Sequence, residues 1–369
     1  MKLALLGDIA FIGNFSAMSD FDLERKLGSI KDYLLQFDYV VGNLETPFSF
    51  YKKRHGAKSA FLCADKEAVK NLKYLKIDAV NLANNHIYDY GMEGLEFTRR
   101  LLEANGIDYF GVAGKSLRKT IGNSKLAFEG FCCYSTNAQQ LCDYGQYGVN
   151  KYERGGIELR LNVNDEQGWL NILSVHAGKE HVNFPSIDHI RAARQLTNVC
   201  RYVYYGHHPH VIQGIEEFNG SLIAHSLGNF CFDDIYTKSS GKEPLITLTE
   251  NNRTGMILEL IIEQNKVTSW NQQAIYIGKD GTLSLVDRRD EMTQYNSVLL
   301  HALENEDEYS AMRQKILDDW IKERKSKRDI KWIVKRLHPE YIRLMIDMRR
   351  NKRLYDLNVT RLLKDVPSR

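Results

Sequence analysis

Long apolar runs are missing from this chain of 369 residues. No stretch approaches the roughly 20 residues of a membrane-spanning helix. The N-terminal "LALL" before Gly7 and Asp8 is shorter than the core of about 7–15 residues in a signal peptide. Cysteine is scarce as well. The six residues, at positions 63, 132, 133, 142, 200 and 231, form no CxxC pair and no small-scaffold spacing, so a disulfide framework is not expected. Several lie inside apolar runs such as "FEGFCCYS" and "LGNFCFDD", where free cysteine behaves as a small hydrophobe. With a first strand beginning near residue 2, these features predict a cytoplasmic protein in a reducing compartment. Fixed-period repeats and low-complexity linkers are also absent. What remains is 43% hydrophobic and 26% charged, an ordinary globular composition with enough chain for one large α/β domain plus an appendage.

The net charge of +3 hides an asymmetry. Residues 311–369 carry eighteen Lys and Arg against eight Asp and Glu, a net of +10, so the preceding residues sum to −7. Such a split marks a segment with its own partner or packing role. The expected organisation is therefore an α/β domain over 1–287 and a basic helical extension over 288–369. In the extension "YNSVLLHALE", "SAMRQKILDDWIKERKSKR", "IKWIVKRL" and "PEYIRLMIDMRRNKRLYDL" read as helices. Ile316 and Trp320, and then Tyr341, Leu344, Met345 and Met348, recur at three and four spacing, which predicts amphipathic faces.

Before residue 288 the pattern alternates. "KLALLG", "DYVVGNL", "DAVNLA" and "IDYFGV" read as strands, separated by helical patterns near 22–36 and 65–75 and by "GMEGLEFTRRLLEANGI", closed by Gly106. That alternation predicts βαβ units and a mostly parallel sheet. From 118 to 175 the reading is strand-rich: "LAFEGFCCYS", "GIELRLNV" and "WLNILSVH". A helix near 186–200 leads into "RYVYYG". Two hairpins follow, one around Asn219-Gly220 and one near Asn265, the first a strong turn signal. A mixed sheet or two stacked sheets are expected.

Five of these apolar runs end on ligand-type residues: "LALLGD" on Asp8, "VVGNLE" on Glu45, "AVNLANNH" on Asn85 and His86, "NILSVH" on His176, and "YVYYGHHPH" on His208 and His210. In open α/β sheets the carboxyl ends of strands form the crevice where ligands bind. Carboxylates neutralise a cation and neutral nitrogens set its geometry, so this set suits one or two divalent ions of the Mn, Fe or Zn kind. His208 and His210 can face one side of an extended segment. A metal-activated hydroxide could then attack an electrophile, with His86 protonating a leaving oxygen and Asp89 orienting its ring. Each residue has a structural alternative. Asp8 can cap a turn, and a lone His176 can be a hydrogen-bonded core residue. "NLANNH" can be an Asn-rich turn with Asn84 or Asn85 capping the next helix. Three imidazoles in "GHHPH" have little structural use.

The ordered blocks "NLETP", "LANNHIYDYGMEGLEFTRRLLEANGIDYFGVAG", "VHAGKEH", "YGHHPHVIQGIE" and "HSLGNFCFDD" resemble the capsule-synthesis CapA (poly-γ-glutamate biosynthesis) family, which in turn resembles the calcineurin-like metallophosphoesterases. The resemblance covers about residues 1–235. It implies a four-layer α-β-β-α metallophosphatase-like sandwich with a metal centre at one rim. It further implies Asp8 as first ligand and Glu45, or alternatively Asn43, as the bridging group. Asn85 would bind metal beside the proton-donating His86, and His176, His208 and His210 would complete the centre. Asn84, His207 and Asn229 are then assigned to the substrate pocket. Two departures stand out. Ala10 occupies the place where metallophosphoesterases usually carry a histidine, and the membrane anchor typical of capsule-export members is not expected from these residues.

The function implied is metal-dependent phosphoester hydrolysis in capsule or cell-surface polymer (polysaccharide) biosynthesis. γ-Glutamyl amide hydrolysis or ligation at the same metal, and a non-catalytic scaffold of a capsule-synthesis complex, are the alternatives. An anionic small-molecule or polymer substrate is expected. The basic C-terminal helices would serve a membrane surface, making the protein peripheral there, or a protein partner; nucleic acid is not expected, because no recognition motif accompanies the charge.

Overall fold

Alternating strands and helices build the first layers of the molecule. In the computed structural model, which describes residues 1–51, 53–56, 58–143, 146–236, 243–326 and 339–363, β1 (Lys2–Ile9), α1 (Asp20–Leu34), β2 (Tyr39–Leu44), α2 (Val69–Tyr74), β3 (Ala79–Asn81), α3 (Gly91–Ala104) and β4 (Asp108–Phe110) follow in turn. The four strands pair in parallel. Ser19 caps α1 by accepting from the Asp22 amide at 3.1 Å, satisfying one of the free donors of a helix start. Gly106, at φ +69°, follows α3 as expected of a left-handed residue after a helix.

A second sheet comes next: β5 (Leu117–Ile121), β6 (Ser124–Cys132), the short pair β7 (Leu141–Cys142) and β8 (Val149–Asn150), α4 (Arg154–Glu166), β9 (Leu170–His176), α5 (Ile187–Leu196), β10 (Tyr202–His207), β11 (Ile215–Phe218) and β12 (Ser221–Ala224). The chain then returns to the first sheet through β13 (Asn229–Cys231), α6 (Glu250–Arg253), β14 (Thr254–Glu263), β15 (Lys266–Ile277) and β16 (Leu283–Val286). One sheet runs β16-β15-β14-β1-β2-β3-β4, with β13 beside the end of β1; the other runs β11-β12-β10-β9-β6-β5. Leu3, Leu5 and Val41 of the first sheet meet Phe128, Ile172 and Val203 of the second in one core between them. Leu27, Leu72 and Leu95 cover the outer face of the first sheet, and Ile157, Leu161 and Ala193 that of the second. This is the four-layer α-β-β-α sandwich.

Two sequence expectations are corrected. "GIELRLNV" forms the middle of α4 rather than a strand. Ile157, Leu159, Leu161 and Val163 alternate as a strand would, but Ile157, Leu161 and Asn164 are the buried set, a four- and three-residue spacing that only a helix places on one face. Leu159 is left 63% exposed. The second correction concerns the C-terminal helices α7 (Arg289–Leu300), α8 (Glu306–Ser326) and α9 (Pro339–Leu363). In α9 Met345 and Met348 point to solvent with Ile342 and Ile346. The inner side instead carries the half-buried Leu344 and Asn351, the latter donating to Asn137 Oδ1 at 2.8 Å. "IKWIVKRL" lies outside the described residues. Both hairpins are as expected, with Asn219 and Gly220 at φ +48° and +75° and Gln264 and Asn265 at +48° and +64°, a left-handed pair suited to a tight turn. The helical region is attached to the sandwich: Met292 enters the inter-sheet core, and Leu299, Ala302 and Tyr309 pack with Ile190. Among the described residues no helix is long and apolar enough to cross a membrane.

The feature that matters most for function is register. Asn81 pairs with Asn43, Asn43 with Asp8, and Asp8 with Asn229, a single polar row across the first sheet. In the second sheet His176 pairs with both Cys132 and His207. Gly7 lets β13 approach: a Cβ there would lie 2.1 Å from the Gly228 carbonyl oxygen. Gly7→Ala should therefore destabilise the fold by about 1–3 kcal/mol or more, the range for overpacking a tight core. Urea unfolding would show it as a lower midpoint; an unchanged midpoint would mean that β1 and β13 are not so closely apposed.

Candidate metal centre

The two polar rows meet at one rim. Asp8 ends β1, Glu45 follows β2 and His176 ends β9. Their ligand atoms lie within 4.8 Å of one another, and all three residues have no exposed surface. His176 Nε2 is 3.3 Å from Glu45 Oε1 and 2.9 Å from Asn85 Oδ1. His210 Nδ1 lies 3.4 Å from Asp8 Oδ2, and its Nε2 3.9 Å from Glu45 Oε2. The His208 ring centroid is 4.9 Å from that of His176 and 6.0 Å from that of His210, while its amide donates to Asp8 Oδ2 at 3.1 Å. Asp8, Glu45 and His176 thus form the tight group, with Asn85, His208 and His210 beside it.

The electrostatics of the cluster ask for a cation. Among the described residues neither Glu45 oxygen has a hydrogen-bond donor, and His208 Nδ1 and both His207 ring nitrogens lack partners, although buried polar atoms are normally satisfied. Burial, and then the Asp8 charge, raise the Glu45 carboxyl well above its ordinary range. Burial opposes ionisation of Asp8 too, but the neighbouring His207, and then His210 and Asn43, outweigh it and leave that carboxyl low. Burial and the surrounding imidazoles depress His176 far below the usual histidine range, and burial holds His208 near 3. Neutral imidazoles and carboxylates are the protonation states that bind metal. Two carboxylates, an amide oxygen and three imidazoles therefore fit a divalent ion on the chemistry of the donor set.

Backbone geometry at the rim is unusual. His181, His208 and His210 adopt φ of +64°, +92° and +56°, strained values for residues bearing a Cβ, of the kind that cluster at functional sites. Next to the cluster, His86 Nδ1 is 2.8 Å from Asp89 Oδ2. Asp89 is fully buried and also accepts from the Leu62 amide at 2.8 Å and from Lys58 Nζ at 2.5 Å. Burial opposes its charge, but Lys58 and His86 hold it below the ordinary carboxylate range.

The three residues assigned to the substrate pocket are buried and bonded within the protein. Asn84 is buried, with Oδ1 accepting from the His86 and Ile87 amides at 3.1 and 2.9 Å and Nδ2 donating to the Leu44 carbonyl at 2.7 Å; it shapes the turn that presents Asn85 and His86. His207 has no exposed surface and sits with Nδ1 3.0 Å from Asp8 Oδ1, out of line for a hydrogen bond. Asn229 is also buried, its Oδ1 2.9 Å from His210 Nδ1 and its Nδ2 bonded to the Asn252 carbonyl. These groups stand behind the cluster and orient it, because the strand register carries them inward. Sequence patterns gave no pointer to Asn252, which bonds the His210 carbonyl, or to Lys58, which lies in a loop that reads only as polar. Asn43, considered as a bridging alternative, bonds Asp8 Oδ1 at 2.8 Å and lies 3.3 Å from His176 Nδ1.

Residues 2–234 match the family model described as bacterial capsule synthesis protein PGA_cap. The chain belongs to that family. Over 229 residues it is 31% identical to the PGA biosynthesis protein CapA of Bacillus subtilis (strain 168), covering 59% of this chain and 59% of the relative. Over 232 residues it is 28% identical to the capsule biosynthesis protein CapA of Bacillus anthracis, covering 57% and 54%. The chain therefore matches little more than half the length of these curated relatives. Among solved structures, Haemophilus influenzae NAD nucleotidase is similar with a TM-score of 0.40 and 14% identity, over 88% of this chain and 60% of that one.

Two outcomes are expected of this PGA_cap centre. Elemental analysis of protein purified without chelator should find Mn, Fe or Zn, lost in a His208→Ala/His210→Ala variant; a folded protein that takes up no metal would refute the centre. Because Glu45 holds its proton to unusually high pH in the metal-free protein, ion binding should expel about one proton. Affinity should therefore fall as pH is lowered through that raised range. Calorimetry in buffers of differing ionisation enthalpy would detect the released proton, and pH-independent uptake would contradict it.

Proposed function

We propose that this PGA_cap protein is a metal-dependent hydrolase acting on a phosphoester in capsule or cell-surface polymer biosynthesis. The observation that carries the reading is the His86–Asp89 pair standing beside the cluster of unpartnered buried carboxylate and imidazole groups. A divalent ion of the Mn, Fe or Zn kind supplies Lewis-acid polarisation and charge neutralisation in such a site. Asp8, Glu45, Asn85, His176, His208 and His210 would hold it. Asp8 and Glu45 balance its charge, and Asn229 and Asn43 fix neighbouring groups, as partners behind a ligand commonly do. Asp89 engages His86 Nδ1 and so fixes the ring orientation; once the ring is protonated, the Nε2–H of the imidazolium would give its proton to the departing oxygen, leaving the neutral Nδ1–H form. Burial lowers the His86 imidazole below the usual histidine range, which makes its protonated form a stronger acid. The six cysteines are free thiols, consistent with action in the cytoplasm. The exposed basic residues and apolar side chains of α9 suit an anionic polymer or the membrane surface where one would be made.

A scaffold role is favoured by one observation, the buried Ala10 at a position expected to bear a histidine ligand. The dyad argues for the enzyme, since a structural metal site has no use for a proton donor. His86→Ala should lower turnover of phosphomonoesters by about 10²–10⁴-fold, the usual worth of a general acid, with metal content unchanged. Metal lost together with activity would make His86 a ligand instead, and no turnover by the metal-loaded wild type would favour the scaffold.

A further inference from the structure

We infer that Lys58 is a positioning residue for the Asn85–His86 pair, an assignment that deepens the hydrolase reading and rests on it. Lys58 lies in the segment between β2 and α2, yet its side chain is only 5% exposed. Lysine is rarely buried this far unless paired. Its ammonium has two partners at the site: Asp89 Oδ1 at 2.5 Å and the carbonyl oxygen of Asn85. Through the first it fixes the carboxylate that holds the His86 ring. Through the second it grips the peptide joining Asn85, whose Oδ1 lies 2.9 Å from His176 Nε2, to His86 itself.

Asp89 has its oxygens divided. Lys58 occupies Oδ1, while His86 Nδ1 and the Leu62 amide share Oδ2. Without the ammonium, Oδ1 would be left without a donor where no water reaches, an unfavourable state for a buried carboxylate. The carboxylate would then turn to share its remaining donors, and the imidazole would turn with it. The Asn85 carbonyl loses its donor in the same step. One side chain thus locks two residues with different tasks, and it does so from a loop distant in sequence from both.

A simple loop clamp would predict uniform losses, whereas positioning of a proton donor predicts losses that depend on the leaving group. Lys58→Met should lower kcat on glycerol phosphate, whose alkoxide must be protonated, by about 10–100-fold, the usual effect of removing a supporting partner. On p-nitrophenyl phosphate, whose leaving group needs no proton, kcat should change by less than about threefold. Lys58→Arg, keeping charge and donors, should recover part of the loss. Equal losses on both esters, or no loss, would overturn the assignment. A second readout is independent of turnover. In ¹⁵N-histidine spectra of metal-free protein, His86 should be the Nδ1–H tautomer in wild type and Lys58→Arg but a mixture in Lys58→Met; an unaltered tautomer would overturn the proposal. If the wild type hydrolyses neither ester, the phosphoester reading fails while these spectra still decide the role of Lys58. Should Lys58→Met not fold, the Arg variant decides it, since a loss confined to the alkyl ester supports positioning and a uniform loss opposes it.

Discussion

The centre is organised around two carboxylates buried side by side. Asp8 and Glu45 offer oxygens within 4.8 Å of each other, a separation at which two full charges repel by about 3 kcal/mol at an effective dielectric of 20. The protein relieves this strain on one side only. Asp8 is supplied with donors from Asn43 and the His208 amide and has imidazoles beside it, whereas the Glu45 oxygens accept no hydrogen bond. The two groups consequently move apart in proton affinity, Asp8 low and Glu45 high. An arrangement that leaves one buried carboxylate unsatisfied is stable only in the context of a well-packed scaffold, or with a cation between the two.

That scaffold explains why the cluster can be built at all. Parallel strands end together, so side chains near the ends of β1, β2 and β3 fall in a row, continued by the first residue of β13. The Asn81–Asn43–Asp8–Asn229 row supplies short polar groups that fit between backbones 4.7–4.9 Å apart, and the facing sheet supplies the longer imidazoles of His176 and His207. Gly7 and Gly206 permit the close approaches behind Asp8 and His207: Cβ atoms there would meet carbonyl oxygens of Gly228 and His225 at 2.1 and 1.9 Å. Local strain at His208 and His210 is carried by packing across the same layers.

Much of this was legible in the sequence, for a physical reason. Strand ends that stop on Asp, Glu, Asn or His are each open to a structural reading as a cap, a turn or a core residue, but as a set they announce themselves; Asp8, Glu45, Asn85, His176, His208 and His210 all carried that signal. The direction each side chain takes within the crevice was not legible. His207 and His208 are adjacent and chemically identical, and only the pairing of His207 with His176 across the sheet decides that one faces Asp8 and the other faces the His176 ring. The hydrogen bonds of Asn84 and Asn229 were not legible for the same reason, since an amide that supports a turn or a ring looks the same in sequence as one that meets substrate. α4 misled in the opposite way: its alternating apolar residues satisfy a strand pattern and a helix pattern at once, and the helix prevails because Ile157, Leu161 and Asn164 all find partners in the outer layer of the second sheet.

Ala10 gives the arrangement its remaining asymmetry. It is fully buried, and its amide is bonded to the Cys231 carbonyl, so that position offers no ligand side chain. On the proposed reading a centre formed here draws on Asp8, Glu45, Asn85, His176, His208 and His210 and gains nothing from position 10. A centre with fewer ligands neutralises less charge on a leaving oxygen, which increases the dependence on a proton delivered by a neighbouring group. On the proposed hydrolase reading, the complete burial of Asp89, the division of its oxygens among three donors and the reach of Lys58 from a distant loop would hold the His86 ring in one orientation before substrate arrives.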